Sequence, residues 1–492
     1  MTNQQTTDLE VAIIGAGFSG LGAAIQLKQQ GIKDFMVFDK AEGVGGTWWV
    51  NRYPGCACDV PSHLYSFSFA PNPDWSRRFA PRAEIQAYLE DLVRQFRLPE
   101  RIQLNTEIVQ ASWSDKDRRW HLVDAMGRHW RTRVLVPALG GLSRPAWPDI
   151  PGLDTFAGEM VHSQQWAEML DLSGRRVAVI GTGASAVQLI PPVARQAQRL
   201  DIYQRTPNWI IPRPDRAIGP RRRALYRRMP WLQKLARFGI WAISEIRVPA
   251  FLWSNRLAAG HRWLANWHRR RQIDDPQLRE NMKPDYDIGC KRVLLSSDFY
   301  PVFNQQHVEL ITNGIARIKA DAIVDSAGQR REIDTLILAT GFRATTPVPD
   351  GLIIGRNGLD LAKHWQDGPQ AYKGTTVLGF PNLFMLAGPN TALGHNSVIM
   401  MIESQIAYLL SAVDYMRTRN VDQLEVSADA QEQWNDMLAG RLERSVWNDG
   451  GCRSWYLHPT TGRNSTIWPG FTLGFRQQLR RFDPENYEAK ST

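Results

Sequence analysis

Two stretches of the chain carry the same order of apolar and polar positions. VAIIGAGFSGLGAAIQL opens with an unbroken apolar run, passes through Gly15-Ala-Gly17-Phe-Ser-Gly20 and continues into a helix of small residues. RRVAVIGTGASAVQLI does the same through Gly181-Thr-Gly183-Ala-Ser-Ala186. A short apolar run closed by glycine reads as a buried parallel strand. Each unit is followed by a second apolar run, DFMVFDK and RLDIYQRT, so each predicts strand, tight turn, helix and strand. DTLILATGFRA and NLFMLAGPN read as two later buried strands. Between Arg216 and Arg271 the pattern changes. In RRRALYRRMPWLQKLARFGIW and HRWLANWHRRRQ, Arg and Lys alternate with Trp, Tyr, Phe and Leu at helical spacing, which predicts amphipathic helices.

These elements predict an α/β fold: two Rossmann-like dinucleotide-binding domains, each three-layered, with a helical insert. The expected division gives residues 1–145 and 381–492 to the first nucleotide domain. Residues 146–215 and 281–380 go to the second, and 216–280 to the insert. A chain of 492 residues exceeds what one core usually holds, in keeping with several domains.

The hydrophobic share of 43% and charged share of 22% are ordinary for a globular protein and change nothing. The formal charge of +10 does, because much of the excess falls in the insert. Two readings of that insert stand side by side: helices with an apolar face on a core and a solvated basic face, or a peripheral contact with a membrane surface. Nucleic acid is set aside, since no recognised binding motif accompanies the charge. Four cysteines in a chain this long suggest no disulfide framework, and Cys56-Ala-Cys58 has the wrong spacing for zinc, so no metal is expected. The polar head MTNQQTTDLE lacks a basic region followed by an apolar run and reads as disordered, as do the last few residues. Val11 to Leu27 is too short and glycine-rich for a membrane span, and a cytoplasmic protein is expected. Oligomeric state is not legible.

The glycines name the candidate chemistry. Gly15 permits the tight turn, Gly17 lets backbone N–H groups approach a pyrophosphate, and Gly20 lets helix and strand pack closely. The helix N-terminus then faces an anion. Asp39 closes the second strand about twenty residues on, where a carboxylate binds a ribose 2′-hydroxyl. In the second unit, with Gly181, Gly183 and Ser185 in the loop, that place is taken by Arg205 and Thr206. A guanidinium grips a 2′-phosphate that a carboxylate would repel. FAD is therefore assigned to the first fold and NADPH to the second. With no Cys-x-x-Cys, the chain reads as a flavoprotein reduced by NADPH that passes electrons elsewhere. Thr340 and Gly341, after the strand in DTLILATGFRA, resemble the return strand of NAD(P)-linked flavoproteins.

Residues 45–59, GGTWWVNRYPGCACD, make the reading specific. Gly45, Gly46, Trp48, Tyr53, Pro54, Gly55 and Asp59 resemble the N-terminal signature of type I Baeyer–Villiger monooxygenases. FAGEMVHSQQW is similar to the family fingerprint at Phe156, Gly158, His162 and Trp166, with Ala167 where the family often has Pro or Asp. GCKRVLLSSDFYPVFN resembles the family's Lys-Arg segment at Lys291 and Arg292, and SWY resembles its late tryptophan at Trp455. The resemblance covers nearly the whole chain. It implies insertion of one oxygen atom from O2 beside the carbonyl of a small hydrophobic ketone, through a C4a-peroxyflavin. Arg292 would stabilise the anion and Asp59 would orient Arg292. Gly46, Thr47 and Trp48 would line the flavin, Lys291 would help hold the 2′-phosphate, and Trp455 would lie near the nicotinamide. Cys56 and Cys58 read as small filler, and His162 and Trp166 as structural. On composition alone, Asp59 could instead cap a helix and Arg292 pair with a surface carboxylate. Two rival functions remain: oxidation of nitrogen or sulfur by a related flavin monooxygenase, and a membrane- or partner-binding flavoprotein with structural FAD.

Overall fold

Both glycine-rich units fold as the apolar pattern requires. In the computed structural model, which describes residues 7–491, strand Thr7–Ile14 runs into helix Phe18–Gln29 and strand Phe35–Phe38. Strand Arg176–Ile180 runs into helix Ala184–Ala194 and strand Arg199–Tyr203. Part of the expected disordered head, Met1–Thr6, lies outside the described residues. The rest of it, Thr7–Glu10, belongs instead to the first strand, and Tyr487–Ser491 pairs antiparallel with Val421–Val426. Both segments gain backbone partners that local polarity does not reveal.

The first sheet has seven strands, in the order Ile353–Ile354, Ile108–Ser114, Arg119–Asp124, His129–Pro137, Thr7–Ile14, Phe35–Phe38, Ile102–Gln103. The second has five, all parallel, in the order Val308–Ile311, Arg199–Tyr203, Arg176–Ile180, Thr335–Leu338, Glu159–His162. In each sheet the strand that carries the glycine loop sits where the chain order reverses, the place where open α/β sheets bind ligands. The chain is back on the first sheet at Ile353, ahead of the expected return at 381. NLFMLAGPN forms no regular strand, but it lies along His129–Pro137 through a bridge between Leu135 and Leu383.

The insert is helical, as its periodicity predicts: Pro220–Arg228, Pro230–Glu245, Val248–Leu252, Ala259–Gln272 and Pro276–Asn281. Helix Val398–Thr418 is long and apolar enough to cross a membrane by length and composition alone. It packs against Phe18–Gln29 and Thr472–Gln478, with Ile402, Ile406, Tyr408 and Leu409 buried, so it is a core helix here.

One expectation from cysteine count is overturned. Cys290 and Cys452 form a disulfide across 162 residues of sequence, with Cα atoms 6.1 Å apart. The pairing brings together two loops that no spacing rule links. It ties the segment bearing Lys291 and Arg292 to the loop bearing Trp455. Cys56 and Cys58 are free and buried, and burial pushes both thiols up, Cys56 to about 11. They stay protonated at neutral pH, in keeping with a filler role.

Candidate active site

The first glycine loop is shaped for close approach. Gly15 has a φ of +113°, and a Cβ there would lie 2.5 Å from the Ala138 carbonyl oxygen. A Cβ on Gly20 would lie 1.8 Å from the Gly15 oxygen. Gly17 faces Gly46, whose Cβ would come within 2.9 Å of the Gly17 Cα, so two stretches of bare backbone meet. No side chain caps the helix that begins after Gly17. Its first N–H groups are presented to an incoming anion. The second loop repeats the design: Gly181 abuts Ala339, nothing crowds Gly183, and the helix after it is likewise uncapped by a side chain. The donor sets fit a pyrophosphate in each fold.

Asp39 spends both oxygens on the loop itself, accepting from Ala16 N–H at 2.6 Å and Ala41 N–H at 2.9 Å. Each oxygen keeps a lone pair for a ribose hydroxyl. Arg205 is exposed at the end of its strand, with Thr206 beside it. Burial lowers the Lys291 pKa, and the positive charge of Arg205 lowers it further, so the two cations lie within electrostatic reach. Mutual repulsion of this kind is relieved by an anion bound between them. Thr340 donates to the Ala146 carbonyl at 2.6 Å, and Gly341 takes a φ of +86° at the turn after its strand.

Residues 45–59 bridge the two nucleotide folds. The loop starts at the first cofactor loop, where Thr47 opens the one-turn helix Thr47–Val50. Trp48 is buried and donates to the Tyr65 hydroxyl at 3.2 Å. Arg82 holds the Trp48 carbonyl at 2.6 Å. At the other end Tyr53 donates to Gln188 Oε1 at 2.9 Å, and Gln188 donates back to the Ala57 carbonyl at 2.9 Å. Gln188 lies on the helix of the second fold, as does Ser185, which meets Tyr53. Gly55 allows the contact, since a Cβ there would strike the Gln188 carbonyl oxygen at 2.5 Å.

The loop delivers Asp59 to Arg292. The guanidinium donates Nε–H to Oδ2 at 2.5 Å and Nη2–H to Oδ1 at 2.8 Å, a bidentate fork, and Nη1–H to the Leu393 carbonyl at 3.1 Å. Three of five N–H donors are thereby used, and two remain for another acceptor. Each side chain of the pair is 30% exposed, so the fork lines an accessible surface. Burial alone would push Asp59 up. The Arg292 charge and hydrogen bonds outweigh it and hold the carboxyl below the usual range. The Arg292 pKa is raised chiefly by Asp59. The pair is ionised throughout the physiological range. Tyr456, buried against the Arg292 backbone with its phenol pushed up to about 12, closes one side, and the exposed Trp455 stacks edge-on to Tyr456 at 4.6 Å.

Two features complete the surroundings. His162 is buried, its Nδ1 accepts from Gln164 N–H at 3.2 Å, and burial lowers its pKa. A buried network escaped sequence analysis. Glu245 accepts from Asn396 Nδ2 at 2.6 Å and from Thr472 N–H and Oγ1 at 2.9 Å, and His395 lies 3.4 Å away. It binds the insert to the loop PNTALGHNSV. A lone acid in the basic insert was the available signal.

A family model described as pyridine nucleotide-disulphide oxidoreductase matches residues 12–229. A Baeyer-Villiger monooxygenase of Pseudomonas aeruginosa is 52% identical over 98% of this chain and 92% of its own. The chain belongs to the Baeyer–Villiger monooxygenases. The closed crystal structure of cyclohexanone monooxygenase superposes with a TM-score of 0.88 at 29% identity, covering 99% of this chain and 100% of that one. An oxidised steroid monooxygenase bound to NADP gives 0.86 at 30% identity, with the same coverage. This Baeyer–Villiger monooxygenase is thus an FAD-containing enzyme dependent on NADPH and O2.

Proposed function

We propose that the enzyme converts a small hydrophobic ketone, O2, NADPH and a proton into an ester or lactone, water and NADP+, with Arg292 and Asp59 as its catalytic pair. The observation that carries this reading is the bidentate fork, which leaves two guanidinium donors uncommitted at the end of the loop that bridges the two nucleotide folds. Bound FAD, reduced by NADPH, supplies the activation of O2. Gly15, Gly17, Gly20, Gly46, Thr47, Trp48 and Asp39 would hold it. Gly181, Gly183, Ser185, Arg205, Thr206, Lys291, Thr340, Gly341 and Trp455 would hold the nicotinamide nucleotide.

Arg292 places a permanent positive charge where negative charge develops on oxygen as the carbonyl carbon is attacked. Asp59 fixes the guanidinium plane and keeps it from rotating away. Trp48, Tyr65 and Tyr456 exclude water from that side. Oxidation of nitrogen or sulfur needs no such cation, so product analysis tests the reading. Turnover of matched ketones and thioethers, followed by gas chromatography and mass spectrometry, is expected to give esters. Sulfoxide as the sole product would overturn it.

Nucleotide choice supplies a second expected result. A hydrogen bond to a charged group contributes about 1.5–3 kcal/mol. Arg205→Ala is therefore expected to raise KM for NADPH by about one to two decades and leave NADH nearly unchanged. Equal losses for both in steady-state kinetics would remove Arg205 from the 2′-phosphate.

A further inference from the structure

The insert helix Pro230–Glu245 is built inside out. Apart from the exposed Lys234, its polar side chains face the protein: Gln233 donates to the Asn72 carbonyl at 2.6 Å, and Arg237 donates to those of His63 and Ser66 at 2.8 and 2.7 Å. Glu245 is turned into the buried network with Asn396 and Thr472. Ile240 and Trp241 pack on the core, but most of its large apolar side chains face out. Trp231, Leu235, Phe238, Ile243 and the adjoining Ile246 are 57–74% exposed. At about 100° per residue, Trp231, Leu235, Phe238 and Ile246 fall on one stripe. A helix of a globular protein does the reverse, and exposed apolar patches of this kind mark contact surfaces.

The rest of the insert extends the pattern. Trp253, Leu257 and Trp263 are 62–70% exposed. Trp263 and Trp267 stack at 6.4 Å, Arg271 lies over Trp267 at 5.4 Å, and both tryptophans line a surface cleft with Arg270 and Arg271. Residues 216–271 hold fourteen Arg and Lys against one acid, Glu245. That excess exceeds the +10 of the whole chain, so the remainder is slightly negative.

We propose that the insert is a docking face for an anionic lipid bilayer. Its tryptophans and aliphatic side chains would enter the headgroup–acyl boundary, and its arginines would meet lipid phosphates. Charge selects this occupant. A second copy docked by the same face would set the basic insert against itself. A single-stranded nucleic acid would use the aromatic rings and arginines but has no use for Leu235, Ile246 and Leu257.

Co-sedimentation of the holoenzyme with vesicles tests the proposal. Binding is expected to phosphatidylglycerol-containing vesicles and not to pure phosphatidylcholine, weakening as salt rises. The triple variant Trp231→Ser, Phe238→Ser, Ile246→Ser is expected to lose binding at least tenfold with turnover of a water-soluble ketone unchanged. Arg270→Gln with Arg271→Gln, which leaves the apolar stripe intact, is expected to cost about fivefold per charge. The proposal is overturned if the parent stays in the supernatant with anionic vesicles, or if both variants bind as the parent does. It is overturned as well if light scattering shows a dimer that the triple variant dissolves.

Discussion

Arg292→Ala is expected to leave bleaching of the flavin by NADPH near the parent rate while ester formation falls by about 10²–10³. On the proposed reading, hydride delivery would depend on the nucleotide loops, whereas the guanidinium would act on the oxygen transfer that follows. Removing one preorganised donor to a developing oxyanion typically costs that factor. Stopped-flow reduction and product yield, measured on the same preparation, separate the two steps. Arg292→Lys restores a charge but not the fork to Asp59, because an ammonium presents no planar pair of donors. Its recovery is expected to be partial. Ester yield near the parent level in the alanine variant would remove Arg292 from the chemistry.

Asp59→Asn is the second large effect. The amide keeps the size of the carboxylate but offers only one acceptor oxygen to the fork and no charge to balance Arg292. Product formation is expected to fall by about tenfold to a hundredfold, and flavin reduction to persist. The pH profile adds a sign. The folded pKa of Asp59 is depressed, so the stabilisation it contributes is present above its unfolded value of about 3.9. That stabilisation is lost only as pH falls through the lower folded value. Any acid limb of the kcat profile between about pH 5 and 8 therefore belongs to another group and is expected to survive in Asp59→Asn. Disappearance of such a limb in the variant would refute the assignment.

The legible part of this molecule is the part written in contiguous residues. Strand, glycine turn and helix appear in the sequence because Gly15, Gly20 and Gly181 sit where a Cβ would strike backbone oxygen. The same holds for the turn at Gly55, although its collision partner, Gln188, lies in the other fold. Asp59 and Arg292 were each marked by local motifs, and the resemblance to a known family joined them. Composition alone left a helix cap and a surface ion pair open as alternatives. Glu245 drew no notice, since its meaning comes from Asn396 and Thr472, more than a hundred residues away. The cysteine count suggested no disulfide framework for the same reason: Cys290 and Cys452 meet only after two distant loops converge.

By itself the sequence determined two nucleotide folds, the carboxylate-for-arginine exchange between Asp39 and Arg205, and a helical insert that carries the net charge. Each follows from backbone sterics, side-chain period or charge, which act over a few residues. Tertiary structure alone decided that a bidentate fork joins Asp59 to Arg292, that Gln188 clasps the loop between the folds, and that the insert turns Trp231, Trp253, Trp263 and Trp267 outward. Those outcomes depend on which surfaces meet, and an amphipathic period names two faces without saying which of them the core will take.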